Sequence, residues 1–234
     1  MIQQRDDFLQ TIAQQLGRPV RTKAERPNWA FQPQHELLKD ATADELVDVL
    51  KKQCQNIHTT CLTATTKELP TVLKNVIDDG GGQSVITWKD ARFETFGLSS
   101  FLTSLPEQNI EFYEWDAQQH AENIRQAEKA NIGITISEMT LAESATAVLY
   151  SDKHRGRTMN FLPEKSVVLI PKSTIVPRIT QAARQLHQQV ERGESVPSCI
   201  LFMTGPSNSA DIEMVLIVGV HGPVKATYII IEDQ

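Results

Sequence analysis

The chain has 234 residues, a formal net charge of −6, 40% apolar residues and 22% charged ones. That length and balance describe one large α/β domain or two small ones, with enough apolar side chains for a sizeable core. The negative charge argues against a chain built around nucleic acid, because phosphate contacts need clustered cations.

No apolar run reaches the length of a membrane span. The polar start, Met1-Ile2-Gln3-Gln4-Arg5-Asp6-Asp7, lacks the apolar core of a signal peptide, so the reading is a cytoplasmic protein. The three cysteines, Cys54, Cys61 and Cys199, form no CxxC pair. Zinc and iron–sulfur clusters therefore lack their usual ligands, and no metal is expected. Cys199 lies in an apolar run and reads as a small buried hydrophobe.

In chain order, residues 6–16 place Phe8, Leu9, Ile12, Ala13 and Leu16 on one helical face, with Gly17 and Pro19 as the stop. Residues 18–33 hold three prolines, four cations and Trp29, and read as an extended arm. The arm is either a connector pinned by Trp29 or a segment reaching a partner subunit. A helix is predicted over 44–54 with Thr42 as N-cap, and another over 69–77. Gly80-Gly81-Gly82 reads as a solvated turn, since it precedes a strand rather than following one. Strands are predicted at 84–87, 110–113, 132–136, 147–150, 167–170, 200–203 and 227–231. Helical stretches are expected over 93–105, 121–130 and 179–192, the last stopped by Gly193. Strands alternating with helices imply a mainly parallel sheet covered on both faces, and the denser strands after residue 132 suggest an added hairpin that makes the sheet mixed.

Three polar turns carry the candidate chemistry. After the strand at 132–136 come Glu138, Glu143, Ser144 and Thr146. A carboxylate there can serve as general base or covalent nucleophile, and the hydroxyls can donate to an oxyanion. The alternative is an exposed helical turn capped by Thr140 and Ser144. The second turn is Thr204-Gly205-Pro206-Ser207-Asn208-Ser209-Ala210-Asp211-Ile212-Glu213. It is flanked by apolar runs that read as buried or tightly packed. Ser207 or Asn208 would cap a short helix whose N-terminus attracts an anion, or would simply cap it. The third is His221 between Gly219 and Gly222-Pro223, a proton shuttle or anion donor, or else a structural hydrogen-bond donor. A basic turn, Lys153-His154-Arg155-Gly156-Arg157, is either an anion-recognition loop or a solvated hairpin tip.

Taken in order, Glu143-Ser144-Ala145-Thr146, Phe161-Leu162-Pro163, the Gly205-to-Glu213 stretch and Gly219-Val220-His221-Gly222-Pro223 resemble the lactate-utilisation protein C family, a LUD-domain group. The resemblance extends to Gly17-Arg18-Pro19. It implies a three-layer α/β/α sandwich similar to the NagB/RpiA/CoA-transferase superfamily, with a mainly parallel, partly mixed sheet. It divides the chain into an N-terminal helix and arm (1–40) and a LUD-like α/β domain (41–234).

It also implies an accessory role in bacterial L-lactate oxidation to pyruvate, beside partner proteins that carry the iron–sulfur clusters. This chain itself would bind no cofactor. Two departures stand out: Ala145 and Asn208-Ser209 replace the Gly and the Arg-Thr that the family commonly has. The residues then expected at a small-anion site are Glu143 and His221 as catalytic candidates. Ser144, Thr146, Gly205, Pro206, Ser207, Asn208, Ser209, Asp211 and Gly222 are the expected ligand contacts. Two other classes stay open: a stand-alone CoA-transferase-like or phosphosugar-isomerase-like enzyme, and an assembly protein that docks iron–sulfur partners through its arm. Oligomers are possible.

Overall fold

The computed structural model describes residues 4–21, 23, 27–211 and 213–234. Arg26 of the basic arm and Ile212 of the second turn lie outside the described residues. The chain divides into two compact units, Met1–Glu36 and Leu37–Gln234.

The first unit holds α1 (Arg5–Gln15), which buries Ala13 and exposes Phe8 and Leu16. Gly17 closes it in the left-handed region at φ 60°, as expected for a helix stop. Trp29 and Phe31 are exposed.

The second unit begins with α2 (Ala43–Asn56). Thr42 and Glu45 form a reciprocal capping box, which satisfies two otherwise orphaned amides. Then follow β1 (Thr59–Ala64), α3 (Leu69–Asp79), β2 (Ser84–Thr87), α4 (Arg92–Thr95), α5 (Ser99–Ser104) and β3 (Glu111–Glu114). Next come α6 (His120–Lys129), β4 (Ile132–Ile136), β5 (Met139–Leu141), β6 (Thr146–Ser151), β7 (Lys165–Pro171) and β8 (Ile175–Val176). The chain ends with α7 (Ile179–Glu191), β9 (Cys199–Met203), β10 (Asn208–Ser209), β11 (Ile217–Val218) and β12 (Lys225–Ile231).

Six strands form one fully parallel sheet in the order β1-β12-β7-β4-β2-β3. Its central strands β4, β7 and β12 are buried almost throughout and are rich in Ile, Val and Leu, with Gly133, Thr135 and Thr227 buried among them. The antiparallel strands anticipated after residue 132 are present, gathered into a second sheet, β8-β5-β6-β9. Among the described residues no helix is long and apolar enough to cross a membrane.

The connectivity creates a switch point. From β2 the chain moves to β3 at one edge, whereas from β4 it moves to β7 and then toward the other edge. β2 and β4 are neighbours, so their carboxyl ends flank a crevice of the kind where α/β sheets place ligands.

Three sequence expectations are corrected. The stretch after Pro206 is not a helix: Asn208 and Ser209 are extended and pair with Val218 and Ile217 in a short hairpin. Hydrogen bonding to the returning strand outcompetes a local helical turn, and no helix N-terminus forms there. The apolar run 214–218 is largely exposed, Met214 at 92%. It occupies that hairpin rather than a core strand. Cys199, at the start of edge strand β9, is only half-buried.

Candidate functional site

The turn between β5 and β6 carries Glu143, Ser144, Ala145 and Thr146. Its shape forces Ala145 to φ 49°, a left-handed conformation in which an L-residue is strained. The carboxylate of Glu143 is held by Arg178 at 2.9 Å. The Glu143 amide donates to the Pro177 carbonyl at 3.0 Å. Arg178 immediately precedes α7.

Hydroxyls then form a chain across the second sheet. Ser144 Oγ lies 2.8 Å from Thr146 Oγ1, which lies 2.7 Å from Thr204 Oγ1. This joins the Glu143 turn to the Gly205 turn, 58 residues on.

The Gly205 turn is fixed from below by Tyr228 of β12. The phenol accepts the Gly205 amide proton at 3.2 Å and shares its own proton between the carbonyls of Met203 (3.0 Å) and Ala145 (3.2 Å). Burial pushes this phenol above its ordinary pKa, which keeps it a neutral donor. Gly205 is required here. Its φ is +68°, and an added Cβ would meet the Ile57 carbonyl oxygen at 2.7 Å.

The third turn closes on the second. The Ser207 amide donates to the Pro223 carbonyl and the Gly219 amide to the Ser207 carbonyl, both at 2.9 Å. Gly222 packs against Ser207, where an added Cβ would come within 3.1 Å of the serine Cβ. Ser209 donates to Asp211 at 2.7 Å, and Asn208 donates to the Pro206 carbonyl at 3.0 Å.

Backbone and hydroxyl contacts thus gather Ser144, Thr146, Gly205, Pro206, Ser207, Asn208, Ser209 and Gly222 into one linked region. Asp211 serves Ser209 at its edge. Two expected members differ. The Glu143 carboxylate faces Arg178 rather than another candidate ligand. The His221 side chain is exposed and makes no hydrogen bond among the described residues. Sequence reasoning missed Arg178 and Tyr228, and it placed Thr204 in the second turn without giving it a role; the one available signal was a cation, Arg178, placed directly before a predicted helix.

A second polar cluster occupies the switch point. Glu138, which follows β4, accepts from Arg92 at 2.6 Å and also from Arg155. Arg92 also clasps Asp90, with Nη2 at 2.6 Å and Nε at 3.0 Å. Arg155 is held in turn by Asp152 at 2.8 Å. Burial pushes the Asp90 carboxyl up. The hydrogen bonds from Arg92 and the charges of both arginines outweigh that and hold it below the usual carboxylate range. The cluster is a mutually satisfied clasp that pins the end of β4 to the segments after β2 and β6. Among the described residues no group of three or more His, Cys, Asp or Glu side chains is placed to hold a metal ion.

Comparisons with known proteins follow the same chain. A family model described as the LUD domain matches residues 47–231. Lactate utilization protein C of Geobacillus sp. (strain WCH70) is 52% identical, over 100% of this chain and 98% of that protein. The protein of that name from Anoxybacillus flavithermus is 54% identical, over 97% and 99%. The one from Bacillus subtilis (strain 168) is 49% identical, over 100% and 98%. Among solved structures, a DUF162 family protein from Deinococcus radiodurans superposes with a TM-score of 0.55, covering 82% of this chain and 99% of that one. At 14% identity that likeness speaks for the fold alone.

Proposed function

The chain belongs to the LUD domain family, and from that premise we propose that it serves lactate utilisation as a non-redox subunit working beside iron–sulfur partner proteins. The observation that carries this reading is identity of about half, over the full length, with proteins named lactate utilization protein C. No CxxC pair equips the chain for a cluster of its own, so electron transfer falls to partners in this reading.

The proposed task of this subunit is to bind a small carboxylate. Arg178 supplies the cation that the family pattern commonly places at the position of Asn208. It binds Glu143, whose neighbour in the chain, Ser144, is the first hydroxyl of the series that leads to Thr204. An incoming carboxylate would compete with Glu143 for Arg178, releasing Glu143 to act as polar anchor or base. Ser207 contributes a hydroxyl that makes no hydrogen bond among the described residues, whereas Ser209 is engaged by Asp211. His221, exposed and without a hydrogen bond among the described residues, would close over the ligand as proton partner or donor.

The test is genetic and then biochemical. In a host whose only L-lactate oxidation route includes this gene, deletion should abolish growth on L-lactate. The native gene should restore it, and Arg178→Ala or Glu143→Gln should restore it poorly. Normal growth of the deletion strain would overturn the reading.

A further inference from the structure

The fold splits the basic turn after β6 into two roles. Arg155 turns inward to Glu138 and Asp152. Lys153 and Arg157 stay outside that clasp, exposed and without an ion-pair partner among the described residues. They line a cleft of about 610 Å³ whose opposite wall is the start of α6. Trp115, just past the end of β3, and Ile124, 48% exposed, give that wall an apolar character. None of these residues belongs to the region around Glu143 and Ser207.

We propose that this cleft binds an organic phosphate, with a phosphate or pyrophosphate group between Lys153 and Arg157 and an apolar or aromatic portion against Trp115 and Ile124. Five features support it. The cations are held on a rigid turn: the Trp88 indole donates to the Gly156 carbonyl at 3.1 Å and the Trp115 indole to the Lys153 carbonyl at 3.2 Å. Such preorganisation lowers the entropic cost of binding. The one carboxylate in the wall, Asp152, is neutralised by Arg155 and by the His154 amide at 2.7 Å, so it does not oppose an anion. Thr158 adds a hydroxyl that is shielded from solvent and has no hydrogen-bond partner among the described residues. The cleft opens at the carboxyl edge of the parallel sheet, where this class of fold binds ligands. Its volume falls within the range of small-molecule sites and far exceeds a bare phosphate.

ADP serves as probe in isothermal titration calorimetry on the full chain, with inorganic pyrophosphate and adenosine as separate arms. ADP should bind in roughly the 10–100 μM range, tighter than either fragment. The Lys153→Ala/Arg157→Ala double variant should weaken it at least about tenfold, a loss in line with two charge-assisted contacts. Lys67→Ala, at an exposed cation outside the cleft lining, should leave it unchanged. Circular dichroism confirms that the double variant is folded, as expected for two exposed positions. Absence of ADP binding at millimolar concentration, equal affinity in the double variant, or pyrophosphate binding as tight as ADP would each overturn the proposal.

Discussion

The Tyr228 hydroxyl accepts the Gly205 amide at 3.2 Å. That single contact lets a central strand of the parallel sheet position a turn of the second sheet. Tyr228 also reaches the Ala145 carbonyl, so one buried phenol sets two of the three polar turns. Tyr228→Phe keeps the ring but leaves a buried amide without its acceptor. Stability should fall by about 1–3 kcal/mol, the usual cost of orphaning a buried donor. Urea unfolding reads the loss, and hydrogen exchange should show faster exchange at Gly205 and Ser207 than elsewhere in the sheet. Uniform exchange across the domain would show that the phenol does not control the turn.

Ala145 and Gly205 are opposite cases of the same conformation. Both have positive φ, but one carries a methyl group and the other cannot. Ala145→Gly should relieve left-handed strain and raise stability by roughly 0.5–1 kcal/mol, about 1–4 °C in Tm for a chain of this size. Gly205→Ala should cost more than about 2 kcal/mol, because its Cβ meets a carbonyl oxygen as well as the φ penalty. Thermal melts of both variants against the native chain check the pair of signs.

What could be read from the sequence divides along physical lines. Strands β4, β7 and β12 were legible because burial on both faces leaves short runs dominated by Ile, Val and Leu, even with Thr135 and Thr227 buried among them. Thr42, Gly17 and Gly193 were legible because caps and helix stops are local. β1 escaped notice: Thr59-Thr60-Cys61-Leu62-Thr63-Ala64 is an edge strand with threonine at three of its positions, and it shows neither a continuous apolar run nor clean alternation. The run 214–218 misled in the other direction, since apolar composition does not reveal whether a segment is covered. The Arg92–Glu138 and Arg155–Glu138 pairs span 46 and 17 residues, so no spacing rule could find them. The Glu143–Arg178 pair is hidden for the same reason, and only the topology that sets β5 beside β8 brings it together.

The clasp at the switch point makes an acid-stability prediction. Asp90 has only 9% of its side chain exposed, and its pKa lies below the ordinary value. A carboxylate depressed in the folded state stabilises fully above its unfolded pKa, near 3.9, and loses that contribution as pH falls through the folded value. Asp90→Asn should therefore cost about 1–3 kcal/mol at pH 7 and progressively less below about pH 4. Urea denaturation of both proteins from pH 7 down to pH 3 should show the two stability curves converging on the acid side. Parallel curves would mean that the Asp90 charge contributes nothing to the fold.

Gly156 offers the sharpest packing test, because it lies against Trp115 with no room for a side chain. A Cβ there would sit 2.0 Å from the indole ring, and that indole is itself bound to the Lys153 carbonyl. Gly156→Ala must displace either the turn or a ring that is 9% exposed. Overpacking of this severity costs about 3 kcal/mol or more. It should also break the Trp88 hydrogen bond to the Gly156 carbonyl, so both indoles change environment together. Tryptophan emission should shift to the red in the folded variant, with Trp29→Phe in the background to remove the exposed contribution from the N-terminal unit. If emission and stability match the native chain, the 152–158 turn adapts freely. The rigid presentation of Lys153 and Arg157 would then be lost as an argument for the phosphate cleft.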